Sequence, residues 1–230
     1  CNIIGKLRIM KKVIIALLAL LPLACMAQNT WEAPTVDSTQ IKAEQAQKAK
    51  AEAQKKLENA KYLAGAVPEI DGKVVFTLDR DVPGKTADEI YSAVYAALQA
   101  LTQEQCEFPS SKISVVNKGE HTIAARYKEW LVFQSSFLSL DRTVFNYTII
   151  ATATDGHIHC TLERISYQYE MDRGDTEGMS VKADEWITDK YALNKKKTKL
   201  LKGSGKFRRK TIDRKDNIFG KICKALQITY

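Results

Sequence analysis

The chain has 230 residues, of which 45% are hydrophobic and 27% are charged. These are the proportions of a globular protein, long enough for one domain or two small ones. The net charge of +8 is local, because 15 Lys and Arg face only 5 Asp and Glu between Val181 and Tyr230. The remaining residues are nearly neutral, which excludes a uniformly basic protein.

The first segment, residues 1–27, has the layout of a secretory leader that starts at Met10. Lys11 and Lys12 precede an apolar run that ends at Leu21, and small residues follow Pro22. This order of basic, apolar and small residues is typical of a signal peptide. The apolar run is shorter than the roughly 20 residues of a membrane span, so a cleaved leader is favoured over a retained helix.

Two kinds of processing fit this leader. Cleavage after Ala27 would release a free protein, whereas lipidation of Cys25 would leave an anchored one. Pro22, Leu23 and Ala24 match a lipoprotein box poorly, so simple cleavage is favoured. Either way we expect export, to the periplasm or the medium, or to the outer membrane if Cys25 is lipidated. No later apolar run is long enough to span a membrane, so we expect no membrane span in the mature chain.

Three cysteines follow the leader: Cys106, Cys160 and Cys223. No CxxC spacing occurs, so neither a disulfide framework nor a zinc site is indicated. A Cys106–Cys160 disulfide stays open in an oxidising compartment, with lone buried thiols favoured.

Residues 28–64 comprise a lead-in and a helical spacer. Ala, Lys, Gln and Glu dominate from Gln40 to Leu63, and they favour helix. The apolar stripe is almost entirely alanine, which predicts a solvated helix, with a weak self-associating coil as the alternative.

The next segments predict a strand and then a helix. Val74, Phe76 and Leu78 alternate with polar residues, which indicates a strand over 73–82. Thr86 and Glu89 form a capping box that opens a helix. Its predicted buried stripe is Ile90, Val94, Ala97, Leu98 and Leu101.

Two hairpins follow. The first joins KISVVN to HTIAARYKEWLVF, and QSSFLSLD then reads as a connection anchored by Phe137 and Leu138. The second turns at Asp155-Gly156, a strong hairpin signal. A two-residue loop sets Ala151 opposite Cys160. The core face then comprises Phe145, Tyr147, Ile149, Ala151, Ala153, Ile158, Cys160 and Leu162.

Beyond Leu162 the apolar phase shifts to Ile165, which predicts a bulge near Glu163-Arg164. ADEWITDKYAL then reads as a short helix anchored by Trp186 and Tyr191. After the basic stretch Asn194–Asp216, an amphipathic helix capped by Asp213 closes the chain, with Ile218, Phe219 and Ile222 in its stripe.

Three segments, YLAGAVPEIDGKVVFTLDRDVPGKTADEIY, YKEWLVF and GKFRRKTIDRKDNIF, resemble an exported bacterial family known only as a domain of unknown function with a TBP-like (TATA-binding-protein-like) fold. The resemblance implies an α+β fold with β-α-β4-α order, an antiparallel sheet and helices on one face. We place this domain at 65–193, and the basic connection with the C-terminal helix at 194–230. The family brings no catalytic residue, and a fold label does not imply DNA binding.

Local motifs give little chemistry. The GSGK at Gly203–Lys206 is no P-loop, because Leu200 and Phe207 replace the required Gly and Ser or Thr, so it reads as a flexible turn. His157 and His159 share one side of a strand and are the weak metal candidates. No cofactor and no catalytic residue is predicted.

The basic stretch reads mainly as a solvated connection. Its candidate anion-binding residues are Lys195, Lys196, Lys197, Lys206, Arg208, Arg209 and Lys210. The leader makes nucleic acid a less favoured partner than an anionic envelope surface or another envelope protein. We therefore predict a non-catalytic binding or assembly module. The alternative is a small-ligand-binding or hydrolytic protein with a cleft between sheet and helix.

Overall fold

The computed structural model describes residues 38–104, 107–137, 139–170 and 178–230. One compact unit runs from Glu52 to Tyr230. Helix α1 spans Ser38–Ala60, and its C-terminal part belongs to this unit. Its residues 44–54 are exposed.

The Glu52–Tyr230 unit is built around an antiparallel sheet. Two short strands, β1 (Glu69–Ile70) and β2 (Lys73–Val74), pair with each other. The main strands are β3 (Phe76–Asp81), β4 (Lys112–Asn117), β5 (Thr122–Ser136), β6 (Ser139–Thr154), β7 (His157–Tyr169) and β8 (Met179–Lys182). Their order is β3-β7-β6-β5-β4, and β8 pairs with β7 beyond the end of β3.

Two long helices, α2 (Ala87–Leu101) and α4 (Ser204–Leu226), pack on one face of this sheet and on each other. A 3-10 helix (Ala183–Glu185) and the short helix α3 (Asp189–Ala192) connect β8 to α4. The predicted α+β class and its β-α-β4-α order are confirmed.

Helix α2 begins where the sequence predicts. Thr86 and Glu89 form both hydrogen bonds of the capping box. Ile90, Val94 and Leu98 are buried, together with Tyr91, which the predicted stripe omits. The helix therefore buries one apolar face against the sheet.

The β6–β7 hairpin has the predicted register. Ala151 lies opposite Cys160 and Ile149 lies opposite Leu162, and all four side chains are buried. The register shifts by one residue beside Arg164, whose φ of 55° marks the bulge. The bulge restores Ile165 to the buried face.

The connection between β5 and β6 differs from the prediction. The two strands form one long hairpin that pairs as far as Ser136 and Ser139. Phe137 lies at its tip and is 101% exposed, so it is not an anchor. Leu138 lies outside the described residues.

The segment after β8 is also not one helix. Its buried residues include Ala183, Ile187 and Ala192, whereas Tyr191 is exposed, because the two short helices turn other side chains inward than a single helix would. Trp186 packs edge-on against Phe207 at 5.9 Å, so this predicted anchor does contact the core.

Helix α4 begins nine residues before the predicted cap Asp213. Gly203 is its N-cap, and the GSGK motif forms its first turn rather than a flexible turn. Residues 194–230 belong to the same compact unit as the sheet. The predicted stripe Ile218, Phe219 and Ile222 is buried.

Candidate anion-binding site on the open face of the sheet

The sheet has a second face that is turned away from α2 and α4. Along β5 the odd-numbered side chains from Ile123 to Leu131 are buried, whereas Arg126 is exposed and Lys128 is half-buried. Because side chains alternate along a strand, these even-numbered residues share the second face. We call this surface the open face.

A cavity of about 870 Å3 lies on the open face. Four cationic side chains line it: Lys112, Arg126, Lys128 and Arg164. Five side chains with hydroxyl or amide groups complete its polar lining, namely Ser110, Asn146, Thr148, Ser166 and Gln168. We call this site the basic cavity.

Strand register brings these residues together from four strands. Lys112 of β4 lies directly opposite Arg126 of β5, which lies opposite Thr148 of β6. Lys128 lies opposite Asn146 in the same way. Residues directly opposite on antiparallel strands are about 5 Å apart at Cβ, so the cations form a cluster.

The bulge of β7 adds the fourth cation. Arg164 is the extra residue of that strand and lines the cavity. Bulges commonly redirect a side chain. The Nε of Arg164 lies 3.3 Å from a carboxylate oxygen of Glu163, so the Arg164 guanidinium is partly neutralised.

The other three cations have no such carboxylate. Among the described residues, Lys112, Arg126 and Lys128 form no ion pair with any Asp or Glu. Like charges directly opposite each other in a sheet reduce stability. The Lys112–Arg126 pair therefore lowers the free energy of unfolding. The basic cavity therefore holds unneutralised positive charge.

Two partly buried cations elsewhere in the compact unit are neutralised. Arg214 Nη2 lies 2.8 Å from Glu129, and Lys206 Nζ lies 2.8 Å from Asp141. The basic cavity differs from them because it brings four cations together beside hydroxyl and amide groups, which makes it the best candidate for anion binding.

The predicted basic stretch is dispersed by the fold. Arg208 is fully buried, so it is not exposed to a surface anion as predicted. Its Nε donates to the Tyr62 carbonyl at 2.7 Å, its Nη1 to the Ile187 carbonyl at 2.8 Å, and its Nη2 to Asp189. Arg208 is a structural residue that joins three segments.

Its neighbours have mixed surroundings. Lys206 donates to Asp141 and to the Tyr169 hydroxyl. Arg209 donates to Asn59 at 2.6 Å. Lys210 is half-buried on α4.

Three lysines of the basic stretch lie in a turn before α4. Lys195, Lys196 and Lys197 are exposed. Lys197 Nζ lies 3.5 Å from Asp189. These three residues are accessible, but they do not line the basic cavity.

The two candidate metal histidines lie on the open face opposite Thr154 and Thr152, as the register predicts. Both ring nitrogens of His157 lie 3.0 Å from carboxylates, one of Asp79 and one of Asp81. His159 Nδ1 lies 2.7 Å from Asp79. Within the described ranges, no group of three or more His, Cys, Asp or Glu side chains is placed to hold a metal ion.

The thiols are poor nucleophiles. Cys160 and Cys223 are buried and free, and burial raises the pKa of the Cys160 thiol to about 12. A nucleophilic cysteine needs a lowered pKa. Cys106 lies outside the described residues.

A buried carboxylate pair is another feature that no pattern in the sequence indicates. Glu107 and Glu129 lie opposite each other in an isolated β-bridge, and both side chains are buried. Burial and, to a smaller extent, the neighbouring Glu129 raise the pKa of Glu107 to about 8, against the opposing effects of Ser111 and Arg214. The pair lies on the helix side of the sheet and does not line the basic cavity.

The structure also contains a cleft between helix and sheet. A cavity of about 320 Å3 separates α2 from β4, with Tyr95, Gln99 and Gln103 on the helix side. The described residues that line it include neither histidine nor carboxylate. This cleft offers hydrogen bonds but no acid–base pair.

The predicted processing residues Ala27 and Cys25 lie outside the described residues. In the part of the chain that is described, no helix is both long and apolar enough to cross a membrane.

The sheet, its strand order and its two helices define a TBP-like fold. The family described as "Domain of unknown function (DUF4468) with TBP-like fold" matches residues 76–168. The chain is 42% identical to a DUF4468 family protein from Bacteroides ovatus ATCC 8483. That crystal structure matches with a TM-score of 0.68 over 74% of this chain and 96% of its own. The chain therefore belongs to the DUF4468 family, which confirms the resemblance seen in the sequence.

A more distant structure shows the fold alone. It is a TBP-like protein from Parabacteroides distasonis ATCC 8503, 23% identical, with a TM-score of 0.56 over 71% of this chain and 99% of its own. Comparison with curated proteins gives no match.

Proposed function

We propose that this chain is an exported, non-catalytic binding module that takes an anionic partner into the basic cavity. The observation that carries the proposal is the Lys112–Arg126 pair, two like charges placed directly opposite each other. Because this arrangement costs stability, a bound anion would supply the missing negative charge.

The lining of the cavity supports binding rather than catalysis. Lysine and arginine side chains neutralise and orient anions through charge-assisted hydrogen bonds. General acid–base catalysis needs a group that titrates near the working pH. Glu107, which has a raised pKa, lies on the opposite side of the sheet from the cavity.

Titration calorimetry with tripolyphosphate at low ionic strength tests the binding claim. We expect the full chain to bind and the affinity to fall as salt is added, because exposed charges are screened. Arg126→Gln should weaken binding roughly tenfold or more, since a hydrogen bond to a charged group contributes about 1.5–3 kcal/mol.

Lys118→Gln is the matched control, because this exposed lysine lies in the β4–β5 turn outside the cavity lining. It should bind like the unmodified protein. If Arg126→Gln and the unmodified protein bind tripolyphosphate with equal affinity, the basic cavity is not the anion-binding site.

Export rests on the leader of residues 1–27. We propose that the mature chain meets its anionic partner at the cell envelope, after cleavage at Ala27 or lipidation at Cys25. Mass spectrometry of the purified mature N-terminus separates the two processing routes. An uncleaved chain recovered from the cytoplasmic fraction would contradict export.

A further inference from the structure

We propose that the ligand of the basic cavity is a short acidic oligosaccharide, an inference that rests on the proposed function above. Cationic side chains alone would bind any anion. The neutral residues between them restrict the class of ligand, because they present both hydrogen-bond donors and acceptors to the cavity.

The neutral side chains of the cavity are free to bind a ligand. In the described structure no protein group hydrogen-bonds the side chains of Asn146, Ser166 or Gln168. Asn146 and Ser166 lie directly opposite each other. Amide groups donate and accept at once, which suits the hydroxyl groups of a sugar better than a bare phosphate.

The size of the cavity favours several linked units. Its volume of about 870 Å3 falls in the upper part of the usual range for ligand sites, about 300–1,000 Å3. A single inorganic ion would leave most of that space, and most of the amide and hydroxyl groups, to water. An oligosaccharide would contact cations and amides together.

The aromatic residues argue against single-stranded nucleic acid. Proteins that bind it commonly stack bases on exposed aromatic rings. Tyr127 and Tyr147 border the cavity, but both rings are buried on the helix side of the sheet and stack on each other, with centroids 5.1 Å apart. Near the cavity, the Trp130 ring is occupied by the Arg142 guanidinium at 3.7 Å and packs against Phe108.

The test compares three probes by calorimetry in one buffer: tetragalacturonate, neutral maltotetraose and an octathymidylate. We expect tetragalacturonate to bind most tightly and maltotetraose not to bind measurably. Asn146→Ala and Gln168→Ala should each weaken tetragalacturonate binding about three- to tenfold, the loss of one neutral hydrogen bond. Lys118→Gln, outside the cavity lining, should bind tetragalacturonate like the unmodified protein.

These two variants change half-buried side chains, and circular dichroism will verify that they fold. Two results would overturn the oligosaccharide proposal and leave the proposal of anion binding intact. One is tighter binding of octathymidylate than of tetragalacturonate, and the other is unchanged tetragalacturonate binding in both amide variants. Failure of both tripolyphosphate and tetragalacturonate to bind would overturn the proposed function as well.

Discussion

Arg208 and Asp189 form an ion pair of 2.7 Å in which the arginine side chain has no exposure to solvent. Burial lowers the pKa of Arg208, while Asp189 acts in the opposite direction. The guanidinium also donates to the backbone carbonyls of Tyr62, Leu63 and Ile187. One arginine thus holds together the turn after α1, the turn after the 3-10 helix, and α4.

Arg208→Ala should lower the free energy of unfolding by about 3–5 kcal/mol, because it leaves Asp189 without its cation and three carbonyls without a donor. Urea unfolding measures the change. Arg209→Ala is the neighbouring control and should cost about 1 kcal/mol or less, since this side chain is only half-buried. Equal losses would mean that the buried position of Arg208 is not what matters.

Gly205 allows the start of α4 to approach the preceding turn. A Cβ at this position would lie 2.8 Å from the Leu200 Cβ. Gly205→Ala should therefore destabilise by about 1–3 kcal/mol through overpacking, although alanine is the better helix former.

Gly220→Ala in the same helix is the matched control for Gly205→Ala. No atom lies within 4 Å of a Cβ built there, so this substitution should stabilise by about 0.4–1 kcal/mol. Thermal unfolding of both variants gives the comparison, and shifts in the same direction would contradict the packing argument.

The Glu107–Glu129 pair should make stability depend on pH. Burial raises the pKa of Glu107 from its usual 4.5 to about 8. Between those values the folded protein holds a proton that the unfolded chain has released, so stability falls as pH rises. We expect the free energy of unfolding to decrease by on the order of a few kcal/mol between about pH 4.5 and pH 8. Above that range, Glu107 should contribute little further change.

Glu107→Gln should reduce the dependence of stability on pH. At pH 8 this variant should be more stable than the unmodified protein, because the glutamine side chain stays neutral. Urea unfolding at pH 5, 6.5 and 8 follows the effect. Glu104→Gln is the contrasting variant, because the pKa of Glu104 is lowered, its burial being outweighed by Lys221 and Arg214. An undiminished pH slope in Glu107→Gln would show that another group is responsible.

Local signals in the sequence are enough to predict much of the sheet. Asp155-Gly156 fixes the β6–β7 turn, and alternation then places Cys160 inside and His157 outside. The phase shift at Ile165 is enough to locate the bulge. These features depend on residues close together in the chain, so the period of the pattern reveals them.

The sequence does not predict the partners of Arg208 in the same way. Its acceptors at Tyr62 and Leu63 lie 146 and 145 residues away, so a run of cations reads as a solvated face until the tertiary structure is known. The start of α4 is hard to predict for a different reason. Gly203 is its N-cap but makes no side-chain capping hydrogen bond, so no local signal marks this residue as the beginning of a helix.

The basic cavity was missed for a related reason. Lys112, Arg126 and Arg164 are far apart in the chain, so no dense run of charge marks the cavity in the sequence. One signal was available: alternation along the predicted strand puts Arg126 and Lys128 on the face opposite Tyr127. Cross-strand register, which needs the fold, is what adds Lys112.

Lys112→Glu tests, in one protein, the proposal that the Lys112–Arg126 pair lowers stability and binds an anion. A glutamate opposite Arg126 should form a cross-strand ion pair and raise the free energy of unfolding by about 0.5 kcal/mol. The same change should weaken tripolyphosphate binding at least tenfold, because one cation is lost and another is neutralised. Lys118→Glu, outside the cavity, controls for net charge. A Lys112→Glu protein that binds tripolyphosphate as tightly as the unmodified chain would contradict the account.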